Sequence, residues 1–273
     1  MSSTLFFNGK ILSMAGSVQP GTAVLVENGI ITGIALEKDL KPKTTNLTRF
    51  IDLGKRTLMP GFIDTHGHVA LFGLDELKVK LEGADSKQKI LARLKKAVNT
   101  APPLEWIISM PIGDPPYFLN AETLYHSGEI PSLNELDSIA PNNPIYIQAP
   151  TNRVPNFAVL NSAAMRKVGI TRNDSSSHSK VVLDDLGEPT GVLRGALQPI
   201  YNNDPLYQSL DKVVPKPSYT DIRKGIEILA PIFSKNGTTS LLEAHLTNPE
   251  ELRAYVELER KGKLPTRIFY TFE

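Results

Sequence analysis

Cysteine is absent from the 273 residues. That excludes disulfides, thiolate metal sites and a cysteine nucleophile together, and leaves imidazole and carboxylate as the expected metal ligands. Excess charge of either sign is also lacking. Thirty Lys and Arg against 29 Asp and Glu give a formal net charge of +1, so no overall field recruits nucleic acid or an anionic membrane. No apolar run is long enough to span a bilayer, and residues 1–10 lack the basic start and apolar stretch of a secretion signal. The expected location is therefore cytoplasmic, and the glycosylation sequons at Asn46, Asn173 and Asn236 are read as coincidences. What is present is a hydrophobic share of 41% with 22% charged residues, enough to bury a sizeable core in a globular chain.

The most informative stretch runs from Leu58 to Val69 and contains Pro60-Gly61-Phe62-Ile63-Asp64-Thr65-His66-Gly67-His68. Its apolar approach reads as a buried strand. Alternate side chains of a strand share a face, so His66 and His68 point the same way while Gly67 keeps the space between them open. Two neutral imidazoles so placed suit Zn²⁺ or a similar divalent ion, and a hydrolytic site would keep one position open for water. A His-x-His pair alone is more often a surface or core pair; the Pro60-Gly61 turn and the apolar run before it count toward a metal through the family resemblance described below. Asp64 is expected to make a structural hydrogen bond rather than to ligate.

Up to residue 57, short apolar runs are broken by turn residues, with Asn28-Gly29 marking a hairpin that Ile30-Ile31-Thr32-Gly33-Ile34 completes. This is a small β module. From residue 58, strands and helices alternate, which points to an α/β fold with a parallel sheet and helical crossovers. Strands are expected at 106–110, 144–149, 238–245 and 266–272. Helices are expected at about 86–99, from Tyr219 with Ser218 as N-cap, and from Pro249 behind the cap Asn248, closed by Gly262. Two long stretches, 111–144 and 150–217, read as insertions that build a site or carry substructure of their own. The serines at 175–177 read as a mobile tip.

With the motif placed, the chain resembles the amidohydrolase-3 branch of the amidohydrolase superfamily, which includes N-substituted formamide deformylase-like metal-dependent hydrolases. Residues 58–68, Gly187-Glu188-Pro189-Thr190-Gly191-Val192-Leu193, Asn161-Ser162-Ala163-Ala164 and Gly237-Thr238-Thr239-Ser240 carry the likeness. The resemblance implies a TIM (β/α)₈ barrel with a β-sandwich module, and cleavage of non-peptide C–N bonds by metal-activated water. About five barrel strands are expected here, so the barrel reads as partial and the chain as truncated, with the β module over 1–57 and the hydrolase part over 58–273. Later strands of relatives supply further ligands and a proton-shuttling aspartate, for which no equivalent is expected here. Pro155-Asn156 replaces a Gly-His of many relatives.

Glu243 and His245 share strand parity and are candidates to join His66 and His68, Glu243 as a metal ligand and His245 toward substrate. Asp114, at the end of the 106–110 strand, is a candidate substrate contact, with a turn role as the competing reading. The expected partner is a small amide-like molecule, without nucleic acid or membrane, and a homo-oligomer is compatible. Two alternatives stay open: a cyclic-amide hydrolase or deaminase of the same superfamily, and a non-catalytic interaction module.

Overall fold

The structure, a computed structural model, describes residues 2–15, 22–151, 154–198, 202–246 and 248–272, without the side chain of His245. The chain opens with β1 (Ser3–Phe7), β2 (Lys10–Ile11), β3 (Ala23–Glu27) and β4 (Ile30–Ala35). Asn28 and Gly29 take φ of 53° and 81°, the left-handed pair that a two-residue type I′ turn requires, and β3 runs antiparallel to β4 behind it. After the short α1 (Glu37–Leu40), β5 (Thr48–Asp52) pairs parallel with β1, and β6 (Thr57–Leu58) with β2. The larger sheet has the order β4-β3-β1-β5. Leu5, Ala23, Leu25 and Leu40 pack one side of it, and Ile11, Val24 and Leu53 form a second cluster.

The histidine-bearing strand β7 (Phe62–Gly67) then leads into α2 (Val69–Asp75), followed by α3 (Lys87–Val98), β8 (Ile107–Ser109), α4 (Ala121–His126), α5 (Leu133–Ile139) and β9 (Ile145–Ile147). Next come β10 (Asn156–Leu160), α6 (Ser162–Val168), β11 (Lys180–Leu183), β12 (Pro189–Gly195) and α7 (Pro205–Val213). The chain continues through α8 (Tyr219–Lys235), β13 (Thr238–Leu246), α9 (Pro249–Arg260) and β14 (Arg267–Phe272). The helix caps fall where the sequence places them. Ser218 Oγ accepts from Asp221 N at 3.2 Å, Asn248 Oδ1 accepts from Glu250 N at 2.9 Å, and Gly262 follows α9 at φ 64°.

This is an α/β fold of mixed sheets in an open, barrel-like arrangement, not a closed (β/α)₈ barrel. The strand count needs correction. β13 pairs parallel with β7 directly, in a three-stranded sheet of order β14-β13-β7, while β8 and β9 lie in a separate sheet of order β11-β12-β10-β9-β8. The strands expected as second and third beside the histidine strand therefore belong elsewhere, and among the described residues that sheet holds three strands rather than five. Apolar periodicity marks a strand but not its neighbour.

Two compact units emerge, one of Met1–Gly67, Ile232–Glu243 and Pro265–Thr271, the other of His68–Pro231, Ala244–Leu264 and Phe272–Glu273. Two apolar clusters stand out among the described residues of the second. Ile90 and Leu94 of α3 pack with Ile107, Leu136, Ile145 and Val159, while Tyr146, Leu160, Leu193 and Leu206 lead the other.

Two local expectations change. β7 is not a buried strand: Phe62 and Ile63 are 57% and 70% exposed, because β7 is an edge with β13 as its one neighbour in the sheet. The 150–217 stretch carries substructure of its own, one of the two readings given to it, since β10, β11 and β12 extend the β9 sheet antiparallel. The serine run is pinned rather than loose. Ser176 Oγ donates to the buried carboxylate of Asp204 and accepts from Ser179 N at 2.8 Å.

Candidate metal centre and its surroundings

Glycine decides how closely β7 and β13 approach. A Cβ on Gly61 would sit 2.1 Å from Thr239 Cγ2, and one on Gly67 would sit 2.8 Å from Leu241 Cδ1. Through that approach Glu243 comes opposite Gly67, the residue between the two histidines. Glu243 is 2% exposed, and a carboxylate buried that far is tolerated only where it is paired.

His66 is exposed in β7, with its backbone N–H donating to Asp64 Oδ1 at 3.1 Å. Asp64 thus makes the structural hydrogen bond expected of it. His68 stands where the chain leaves the strand, as the N-cap of α2 at φ −138° and ψ 66°. Its Nδ1 lies 3.0 Å from the carbonyl oxygen of Ala244. A carbonyl only accepts, so Nδ1 is the donor in this contact; a neutral ring so anchored presents its lone pair at Nε2, and a backbone carbonyl on the other ring nitrogen is the anchor found in metal-bound histidines. The ring also packs edge-on against Phe72, with centroids 6.1 Å apart. The Ala244 carbonyl has no signal in the sequence, since the contact joins positions 176 residues apart.

α2 is held in place by backbone contact with α8. A Cβ on Gly73 would meet the Gly225 carbonyl carbon at 2.5 Å, and the reverse holds for Gly225. Among the described residues, no three His, Cys, Asp or Glu side chains come together closely enough to hold a metal unaided. The side chain of His245, a sequence candidate, lies outside the described residues. His68 therefore fits the donor chemistry of a zinc-type site, while the described residues do not complete one.

Asp114 is already engaged. Its Oδ1 accepts from Gly83 N at 2.6 Å and its Oδ2 from Asn120 Nδ2 at 2.9 Å, while its own N–H donates to Asn120 Oδ1 at 2.8 Å. The carboxylate fastens a turn. His126 and His178 are exposed, as expected, with His126 Nε2 3.7 Å from Glu122. Asn161 and Asn156 are buried structural amides. Asn161 Oδ1 accepts from Ile145 N and Ala164 N, and its Nδ2 donates to Ala140 O and Asn143 O. Asn156 spans Pro150 O and Leu197 N. Among the described residues no helix is long and apolar enough to cross a membrane.

The chain is similar to the N-substituted formamide deformylase of Arthrobacter pascens, at 26% identity over 201 residues that take in 71% of this chain and 34% of that protein. It is also similar to the exoenzymes regulatory protein AepA of Pectobacterium carotovorum, at 22% identity over 275 residues covering 98% of this chain and 54% of that one. An uncharacterized metal-dependent hydrolase from Pyrococcus furiosus shares the fold with a TM-score of 0.68 at 19% identity, over 99% of this chain and 50% of the other. The chain thus spans between a third and about half the length of these proteins. A profile described as Amidohydrolase family matches residues 49–271. On that match, the chain belongs to the amidohydrolase family.

Proposed function

We propose that this chain supplies His66 and His68 as two ligands of a divalent metal, zinc being the expected ion, in a hydrolase that cleaves a non-peptide C–N bond of an amide. The observation that carries the reading is the Nδ1–carbonyl contact of His68, the backbone anchor that orients a histidine to coordinate through Nε2. Glu243 is the proposed carboxylate donor from the neighbouring strand, and His245 a proposed substrate contact. Asp114, whose carboxylate holds the turn before Pro115, is a proposed residue of the substrate side. When bound, such a metal acidifies a water molecule and polarises a carbonyl. The protein's own part is to fix the tautomer of His68 and, through the Gly73–Gly225 contact, the helix on which it stands.

Elemental analysis of the purified chain beside a His66→Ala/His68→Ala variant tests this. About one equivalent of zinc, lost in the variant, is expected; no metal in either protein after zinc loading contradicts it. Little turnover is expected of the isolated chain, because its described residues do not complete a donor set. A non-catalytic interaction module is the second reading, supported by the name of AepA as a regulatory protein and the exposed apolar residues of β7.

A further inference from the structure

The unit that contains His68 also holds a cavity of 530 Å³, within the range of about 300–1,000 Å³ typical of small-molecule sites. Its walls include Leu71 and Phe72 of α2, Met110, Pro116 and Phe118 from the stretch after β8, and Leu229 of α8. Both lysines of the lining are already neutralised: Lys78 by Asp75 at 2.7 Å and Lys80 by Glu76 at 2.8 Å. With Glu82 the lining carries three carboxylates against these two lysines, so no lining cation is left to draw an anion, and the apolar walls suit an apolar guest without negative charge.

The cavity is held open rather than formed on demand. Asp114 ties the Gly113–Pro115 turn to Gly83 and Asn120 through the three hydrogen bonds given above. A cavity with a fastened wall loses less entropy when a ligand enters. Phe72 belongs to the lining and touches the ring of His68, one helical turn away. The cavity therefore begins beside His68.

We propose that this cavity receives the apolar substituent, an aryl or branched alkyl group, of a neutral amide whose carbonyl lies at His68. The proposal rests on the assignment of His68 above. Phe72 sets specificity through contact area, and Asp114 is a positioning residue that keeps the wall in place.

Fluorine NMR with 4-fluorophenylacetamide, using 2-fluoroacetamide as the probe that lacks the ring, tests the assignment on the full 273-residue chain. The aryl probe is expected to bind and 2-fluoroacetamide not to displace it. Phe72→Ala is expected to weaken aryl binding about tenfold, a change of about 1.4 kcal/mol. Phe72 is half exposed, so its truncation leaves the fold intact by circular dichroism; Met110→Ala provides a second, independent reduction. Equal binding of both probes, or aryl binding unchanged by both Phe72→Ala and Met110→Ala, would overturn the proposal. Failure of the metal assignment is read separately, from metal content.

Discussion

His68 shows how one backbone acceptor sets the chemistry of a side chain. The Ala244 carbonyl accepts a hydrogen bond from Nδ1, so a neutral ring held this way can coordinate a metal only through Nε2. Other single residues here act through space rather than charge. Gly61 has no room for a methyl group beside Thr239, so Gly61→Ala is expected to destabilise the chain by about 1–3 kcal/mol in urea unfolding. Adding Thr239→Gly should recover much of the loss, and no recovery would place the strain elsewhere. Asn161 is the polar counterpart, completely buried with four hydrogen bonds. Asn161→Ala strands buried backbone groups and is expected to cost on the order of 3 kcal/mol; an unchanged urea midpoint would contradict this. Strand alternation singled out the pair of histidines, but in the structure His66 alone lies in β7 while His68 caps α2. The Ala244 carbonyl was not legible in the sequence, because side-chain pattern says nothing about which distant backbone oxygen a ring will meet.

At the scale of elements, short-range chemistry was readable and pairing was not. Asn28-Gly29 announces its turn through two positive φ values, and Asn248-Pro249 and Gly262 mark both ends of α9. By contrast, β8 and β9 were recognisable as strands while their sheet was not, since residues far along the chain decide it. β11 and β12 escaped notice because Pro189, Gly191 and Gly195 interrupt the pattern that would reveal the pair. Helix α5 carries a prediction of its own. The backbone N–H of Ser132, foremost, and its hydroxyl hold the Glu135 carboxyl below the usual carboxylate range in a capping box, with burial opposing them. A carboxyl lowered on folding stabilises fully above its ordinary value and less as pH falls through the lowered one. Amide exchange at the start of α5 should therefore quicken, beyond its intrinsic pH trend, below about pH 4.5. Glu135→Gln should abolish that pH dependence, and a persistent dependence in the variant would assign it to another group.

For the whole molecule, the question is what the exposed apolar strands do. Phe62 and Ile63 on β7, and Phe269 and Tyr270 on β14, are each at least 42% exposed, and both strands are edges of their sheet. Exposed apolar edges pair with other chains. The isolated chain is accordingly expected to self-associate at tens of micromolar in sedimentation velocity, with Ile63→Lys and Phe269→Lys shifting it toward monomer. A monomer at every concentration would show that these edges are blunted without a partner. Composition limited this level most: a net charge near zero and no cysteine exclude classes of partner without naming one.

The measurement closest to the central claim is long-range ¹H–¹⁵N correlation of the histidine rings, before and after one equivalent of zinc. His68 should show a proton on Nδ1 throughout and a large ¹⁵N shift at Nε2 on zinc addition, with His66 shifting alongside it. A His68 ring protonated at Nε2, unmoved by zinc, would contradict the assignment of this pair as metal ligands.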